Sequence, residues 1–163
     1  METLKSLTEQ VAAATGSKKA ELVLKNAHIV NVFTQSVEEG DIAIEEGRIV
    51  GIGIYDGVTE TDLEGAYVCP GFLDGHIHIE SSMTSPGEFE RAVVPHGTTA
   101  VITDPHEIAN VAGEAGIRFM MQSAEKLDLD VYFMLPSCVP ATDLDESGAE
   151  LLAADLEPFY IEE

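Results

Sequence analysis

Positive charge is scarce in this chain: 8 lysines and arginines stand against 30 aspartates and glutamates, a formal charge of −22. A surface of that sign repels phosphate backbones and anionic headgroups, so neither nucleic acid nor membrane is expected as a partner. The carboxylate excess gives a soluble but self-repelling shell. It fits adaptation to high salt, where screening weakens the repulsion, and equally the ordinary acidity of a cytosolic protein. Cysteine is also rare. Cys69 and Cys138 fall in no Cys-x-x-Cys or other metal or redox spacing, so both are read as reduced thiols and no disulfide framework is expected. No stretch of about 18 consecutive apolar residues occurs, and the N-terminus lacks a basic start with an apolar core. A cytoplasmic location is therefore expected. A phosphate-cradling loop and a Gly-x-Ser-x-Gly elbow are absent as well.

What is present reads as a folded chain, with 45% hydrophobic residues in 163. That length buries one ordinary core, or a small domain plus part of a larger one. Residues 6–14 predict a short helix, with Ser6 and Glu9 at capping-box spacing and Gly16 at its end. Apolar, β-branched runs over residues 21–33, 41–45 and 48–54, with turn residues at Glu39-Gly40 and Glu46-Gly47, predict a small β-sheet containing a hairpin. Beyond Pro70 the pattern alternates. Strands are predicted over 72–79, 98–103 and 131–135, and helices over 86–94, 112–127 and 148–156. Short apolar strands alternating with helices give an α/β class with a parallel sheet, matching the first three βα units of a TIM-like (β/α)8 barrel. Such a barrel takes about 250 residues, so it is expected to be incomplete here. The domains are read as an N-terminal arm over 1–19, a β-domain over 20–69 and the barrel start over 70–163. The acidic stretch at residues 143–146 reads as a solvated loop.

The densest chemistry lies in Pro70-Gly71-Phe72-Leu73-Asp74-Gly75-His76-Ile77-His78-Ile79-Glu80. As a strand, it turns Phe72, Asp74, His76, His78 and Glu80 to one face and Leu73, Ile77 and Ile79 to the other, under a helix layer. Two imidazoles then converge, and a His-x-His pair on a strand supplies two ligands for zinc, iron or a related divalent ion. Alone, the pair is better explained by surface or core histidines. The match of His78-Ile79-Glu80 to the His-x-Glu of zinc nucleobase deaminases is accidental, because Pro-Cys-x-x-Cys is missing. Active sites of such barrels lie at the C-terminal ends of the strands, where Asp104 and His106 and then Ser137 and Cys138 also fall. Asp104 and Glu107 can instead satisfy backbone donors at the next helix start. Asp74 can orient an imidazole or serve the strand start, and Glu80 can line a pocket or cap the following loop. His96 reads as a turn residue and His28 as structural.

The run Pro70 to His78 resembles the first barrel strand of the amidohydrolase superfamily. Ile79-Glu80-Ser81-Ser82-Met83, Pro95-His96-Gly97-Thr98-Thr99, Asp104-Pro105-His106-Glu107-Ile108-Ala109-Asn110-Val111 and Pro136-Ser137-Cys138-Val139-Pro140-Ala141 extend the likeness to the bacterial and archaeal adenine deaminase family. The resemblance implies that the β-domain is one part of a small β-sandwich. It implies hydrolysis of adenine to hypoxanthine and ammonia at a binuclear divalent site of manganese or iron, with zinc possible. His76 and His78 would be metal ligands and His106 and Asp104 catalytic, with Glu80, Ser81, Ser137 and Cys138 lining the substrate pocket. Further ligands of that family, a carboxylate, a histidine and a late aspartate, lie beyond the end of this sequence, so the chain is expected to be incomplete for catalysis alone. It would form a homo-oligomer or associate with a C-terminal portion. The alternatives are another amidohydrolase acting on a cyclic amide, and a non-catalytic remnant that needs a partner chain.

Overall fold

The computed structural model describes residues 4–142 and 144–160, so of the acidic stretch Asp143 lies outside the described residues. The chain divides at Pro70 into two compact units. In the first, helix α1 (Leu4–Ala14) precedes strands β1 (Ala20–Asn31), β2 (Ser36–Glu45), β3 (Arg48–Gly53), β4 (Gly57–Asp62) and β5 (Tyr67–Val68). One sheet holds them all in the order β3-β2-β1-β4, with β5 also paired to β1. β1, β2 and β3 are antiparallel neighbours, whereas β4 and β5 run parallel to β1. Small residues let α1 approach the sheet: Ala13 packs on Ala20, Val23 and Ala43. A second cluster of Ala27, Ile29 and Ile42 lies further along.

Two boundaries differ from the sequence reading. The helix begins at Leu4, which puts Ser6 inside it, where its hydroxyl bonds to Glu46 instead of capping. The turn expected at Glu39-Gly40 lies instead at residues 32–35, because Asn31 Oδ1 accepts from the backbone N–H of Phe33 (3.1 Å) and Thr34 (3.2 Å) and so closes an Asx-type turn. Gly40 then stays within β2, facing the Gly53 backbone of β3; a Cβ there would stand 3.4 Å from the Gly53 carbonyl oxygen.

The second unit runs β6 (Phe72–Ile77), a 3-10 turn (Ile79–Ser82), α2 (Pro86–Val93), a 3-10 turn (Val94–His96), β7 (Thr98–Thr103), α3 (His106–Ala124), β8 (Asp130–Phe133), α4 (Ala153–Leu156) and a last 3-10 turn (Glu157–Tyr160). The strands form a parallel sheet in the order β6-β7-β8. The fold is thus mixed α/β. Its core joins Ile79, Phe89, Val101, Met120 and Leu129, so residues from both helices and the sheet share one apolar layer. A second layer of Ala109, Ile117, Val139, Leu156 and Phe159 docks the C-terminal segment on α3. Ser85 starts α2 by accepting from Glu88 N at 3.4 Å, with Pro86 in the first turn.

Here too the structure corrects details. β6 ends at Ile77, and Leu73, expected beneath helices, is 59% exposed. α3 begins at His106, six residues before the predicted 112, and is broken at Gly113, whose φ of 59° and ψ of −141° are not helical. Residues 148–152 are not helical, because Gly148 N donates to Asn110 O (2.7 Å) and Leu151 N to Val139 O (2.8 Å), which holds the segment extended. The helix starts only after Leu152, whose N–H donates to Asp155 Oδ2 at 2.8 Å. Among the described residues no helix is long and apolar enough to cross a membrane.

Candidate metal centre

The site grows from the register of β6 and β7. Ile77 pairs with Thr103, and Asp104 N donates to Ile77 O at 2.9 Å, which carries the ladder past the strand end and sets Asp104 beside the two histidines. His78 keeps an extended backbone (φ −112°, ψ 100°), so the alternation of the strand persists to its ring. The Nε2 atoms of His76 and His78 are 3.2 Å apart, with ring centroids 5.0 Å apart and planes at 74°. One donor atom from each of His76, His78 and Asp104 lies within 4.8 Å of the others.

This donor set fits a divalent cation. Asp104 Oδ1 is buried without a hydrogen-bond partner, a costly state for a carboxylate oxygen that a cation would relieve. Two imidazoles and one carboxylate also make up the three protein ligands typical of a catalytic zinc site, which leaves a position for water.

Around the donors sits a second set of polar groups. His106, in the first turn of α3, places Nδ1 3.7 Å from Asp104 Oδ2. Its Nε2 lies 3.0 Å from the Cys138 carbonyl, which can only accept, so this contact is a hydrogen bond when Nε2 carries a proton, and Nδ1 is the atom that faces Asp104. The Cys138 thiol is 3.9 Å from the same nitrogen. Glu107 Oε2 is 2.9 Å from His78 Nδ1, and Glu107 Oε1 accepts from Ser81 Oγ at 3.0 Å. Burial pushes the Glu107 carboxyl upward, but its own backbone N–H, the Ser81 hydroxyl and His78 together hold it below the usual glutamate range.

The remaining candidates have other placements. Glu80 Oε1 accepts from Ile108 N at 3.2 Å and so ties the 3-10 turn after β6 to the start of α3, while its Oε2 is buried and unpaired. Asp74 Oδ1 accepts from the backbone N–H of His76 at 3.1 Å, not from a ring. Ser137 and Cys138 are exposed just beyond β8, and only Cys138 reaches His106. His28 belongs to the first unit, 3.3 Å from Glu39 and stacked at a tilt on Tyr67. His96 closes a 3-10 turn before Gly97, whose φ is 94°. Sequence reasoning gave Glu107 no part in the site beyond the helix start. Its position directly after Pro105-His106, at the end of a strand neighbouring the His-x-His strand, was the available signal.

Residues 67–162 match the amidohydrolase family. The chain is 59% identical to adenine deaminase of Geobacillus kaustophilus over 97% of its own length, and 53% identical to adenine deaminase of Bacillus subtilis, also over 97%. It spans 27% of the length of each of those relatives. Among solved structures, an N-acyl-D-glutamate deacylase from Bordetella bronchiseptica, complexed with zinc and a phosphonate inhibitor, shares the fold with a TM-score of 0.59 at 18% identity. That likeness covers 86% of this chain and 34% of the deacylase.

Proposed function

We propose that this chain, which belongs to the amidohydrolase family, forms the first part of an adenine deaminase that hydrolyses adenine to hypoxanthine and ammonia. The observation that carries the chemistry is the convergence of His76, His78 and the unpaired Asp104 oxygen on one point at the strand ends. The choice of adenine rests on the identity to relatives of that name along nearly the whole chain. On this reading the parallel β6-β7-β8 sheet with its helices is the opening of a (β/α)8 barrel. The sheet of the first unit is part of a small β-sandwich.

His76 and His78 would hold a divalent metal through Nε2, with Asp104 as the adjoining carboxylate; manganese or iron is favoured, and zinc has the same donor preference. Such an ion supplies a Lewis acid that makes water acidic enough to react near neutral pH. His106, with Nε2 anchored on the Cys138 carbonyl, presents Nδ1 at the Asp104 carboxylate, where the pair can take up or return a proton as ammonia leaves. On the same reading Glu80, Ser81, Ser137 and Cys138 would border the purine; of these, Cys138 lies against His106. A reading in which the chain acts only with further polypeptide is favoured by its span of 27% of the relatives. The test is ammonia release from adenine with added manganese, by this chain alone and by the chain joined to a relative's C-terminal remainder. Release by the joined protein, lost on His76→Ala, is expected. Metal-loaded joined protein that is inert on adenine but hydrolyses a cyclic amide would replace adenine with that substrate class.

A further inference from the structure

We infer that Glu107 is a positioning residue for the metal centre: its carboxylate holds the proton of His78 on Nδ1 and thereby leaves Nε2 as the bare, metal-binding nitrogen. The inference rests on reading the site as a metal centre, and its grounds are geometric. His78 Nδ1 is shielded from solvent and has no aligned hydrogen-bond partner; the closest charged group is Glu107 Oε2, at 2.9 Å but off the ideal direction. A bare Nδ1 lone pair against an ionised carboxylate would be repulsive. An Nδ1–H there is attracted to it, so the contact selects one tautomer.

With the proton on Nδ1, Nε2 of His78 points its lone pair toward His76 Nε2, 3.2 Å away. That lone pair can accept from an Nε2–H of His76, and it would be the atom that holds a divalent ion. Glu107 is itself held through its other oxygen, since Oε1 accepts from Ser81 Oγ at 3.0 Å. Its backbone lies in the first turn of α3, and Glu80 Oε1 ties that turn to the segment following β6 through Ile108 N. Three links therefore join the start of α3 to residues 78–81, and one of them ends on a ring nitrogen. A carboxylate behind a ligating imidazole raises its basicity and orients the ring, and removing such a partner typically lowers metal affinity by about 10- to 100-fold.

The test uses the chain itself. Long-range nitrogen–proton NMR of histidine in the metal-free chain reads the tautomer of His78, and zinc titration with competing chelator reads affinity. The expected result is an Nδ1–H tautomer in the parent, lost or mixed in Glu107→Ala, with zinc binding weakened about 10- to 100-fold. Glu107→Gln, which keeps an acceptor oxygen, should fall between them, and Ser81→Ala should weaken binding less than Glu107→Ala. Amide exchange at Ile79, in the core beside the site, checks that each variant is folded. A parent chain already in the Nε2–H form, or folded Glu107→Ala with unchanged tautomer and affinity, would overturn the assignment. A parent that shows the Nδ1–H tautomer but binds no divalent ion would leave Glu107 holding His78 and would sink the metal-centre reading instead.

Discussion

At the scale of single residues, Asp41 does for the first unit what Glu107 does for the second. It is 7% exposed, and its carboxylate accepts from Lys25 Nζ (2.6 Å), Asn26 N (3.1 Å) and Tyr55 N (3.2 Å). Asn26 sits at a β1 irregularity with φ of 56°, where its N–H is out of the ladder, so the side-chain acceptor replaces a strand partner. Burial raises the Asp41 carboxyl, but Lys25 and the two backbone donors outweigh it and hold it below the usual aspartate range. A carboxyl depressed on folding adds stability that is present above its unfolded value, near 4, and lost as pH falls through its folded value. Asp41→Ala should therefore destabilise the first unit at pH 7 by roughly 2–6 kcal/mol, chiefly from two orphaned N–H groups at about 1–3 kcal/mol each. It should also flatten the loss of stability below pH 4. Amide exchange at Val23 and Ala43, which lie in the core of this unit, measures both, and an unchanged acid limb would assign the pH response to other carboxylates. Lys25 is raised above its ordinary value by the same contact, so its share persists to alkaline pH and fades only above the lysine range.

At the scale of elements, the break in α3 decides what the helix can reach. Residues 106–112 carry His106 and Glu107 to the strand ends, whereas 114–124 lay Ile117 and Met120 on the core. Gly113 joins the two at φ 59° and ψ −141°, and a Cβ there would stand 3.1 Å from that of Ala149. Gly113→Ala should lower stability by about 1–3 kcal/mol, the range for a residue forced into a conformation L side chains avoid. If the first turn shifts with it, zinc affinity should fall as well. Urea unfolding and zinc titration on one sample separate the two effects, and a variant as stable as the parent would mean the break relaxes without strain. This break is also where the sequence was least legible. Strand β7 is legible to its observed ends and α2 to within a residue, because β-branched alternation and a Ser-Pro start are local signals. The start of α3 is hidden because Asp104-Pro105 looks like an interruption, and the extended conformation of residues 148–152 is hidden because their partners, Asn110 and Val139, are distant in sequence. The histidine pair was legible from period-2 spacing. The carboxylates that meet it, Asp104 and Glu107, are brought there by the β6-β7 register, which no local pattern encodes.

At the scale of the whole molecule, charge and apolar exposure oppose one another. The formal charge of −22 drives copies of the chain apart, while Phe72 and Leu73 on β6 remain 62% and 59% exposed, and Phe33 and Ile54 in the first unit lie open at 95% and 97%. β6 and β8 each have one unpaired edge among the described residues, and such edges invite pairing. Electrostatic repulsion is screened within about 10 Å at 0.1 M salt and within about 3 Å at 1 M, whereas apolar association is not weakened by salt. Raising sodium chloride from about 0.1 to about 1 M, which shortens the screening length from about 10 to about 3 Å, should therefore shift the chain from monomer toward dimer or larger species. Thermal stability should rise in step as repulsion within each copy is relieved. Sedimentation velocity across the salt series, paired with thermal unfolding at each point, distinguishes the two forces. A rise in Tm without a rise in mass would assign the salt response to self-repulsion alone and leave the apolar strands without a partner of their own kind. A rise in mass abolished by Leu73→Lys would locate the contact on β6, the strand that carries His76.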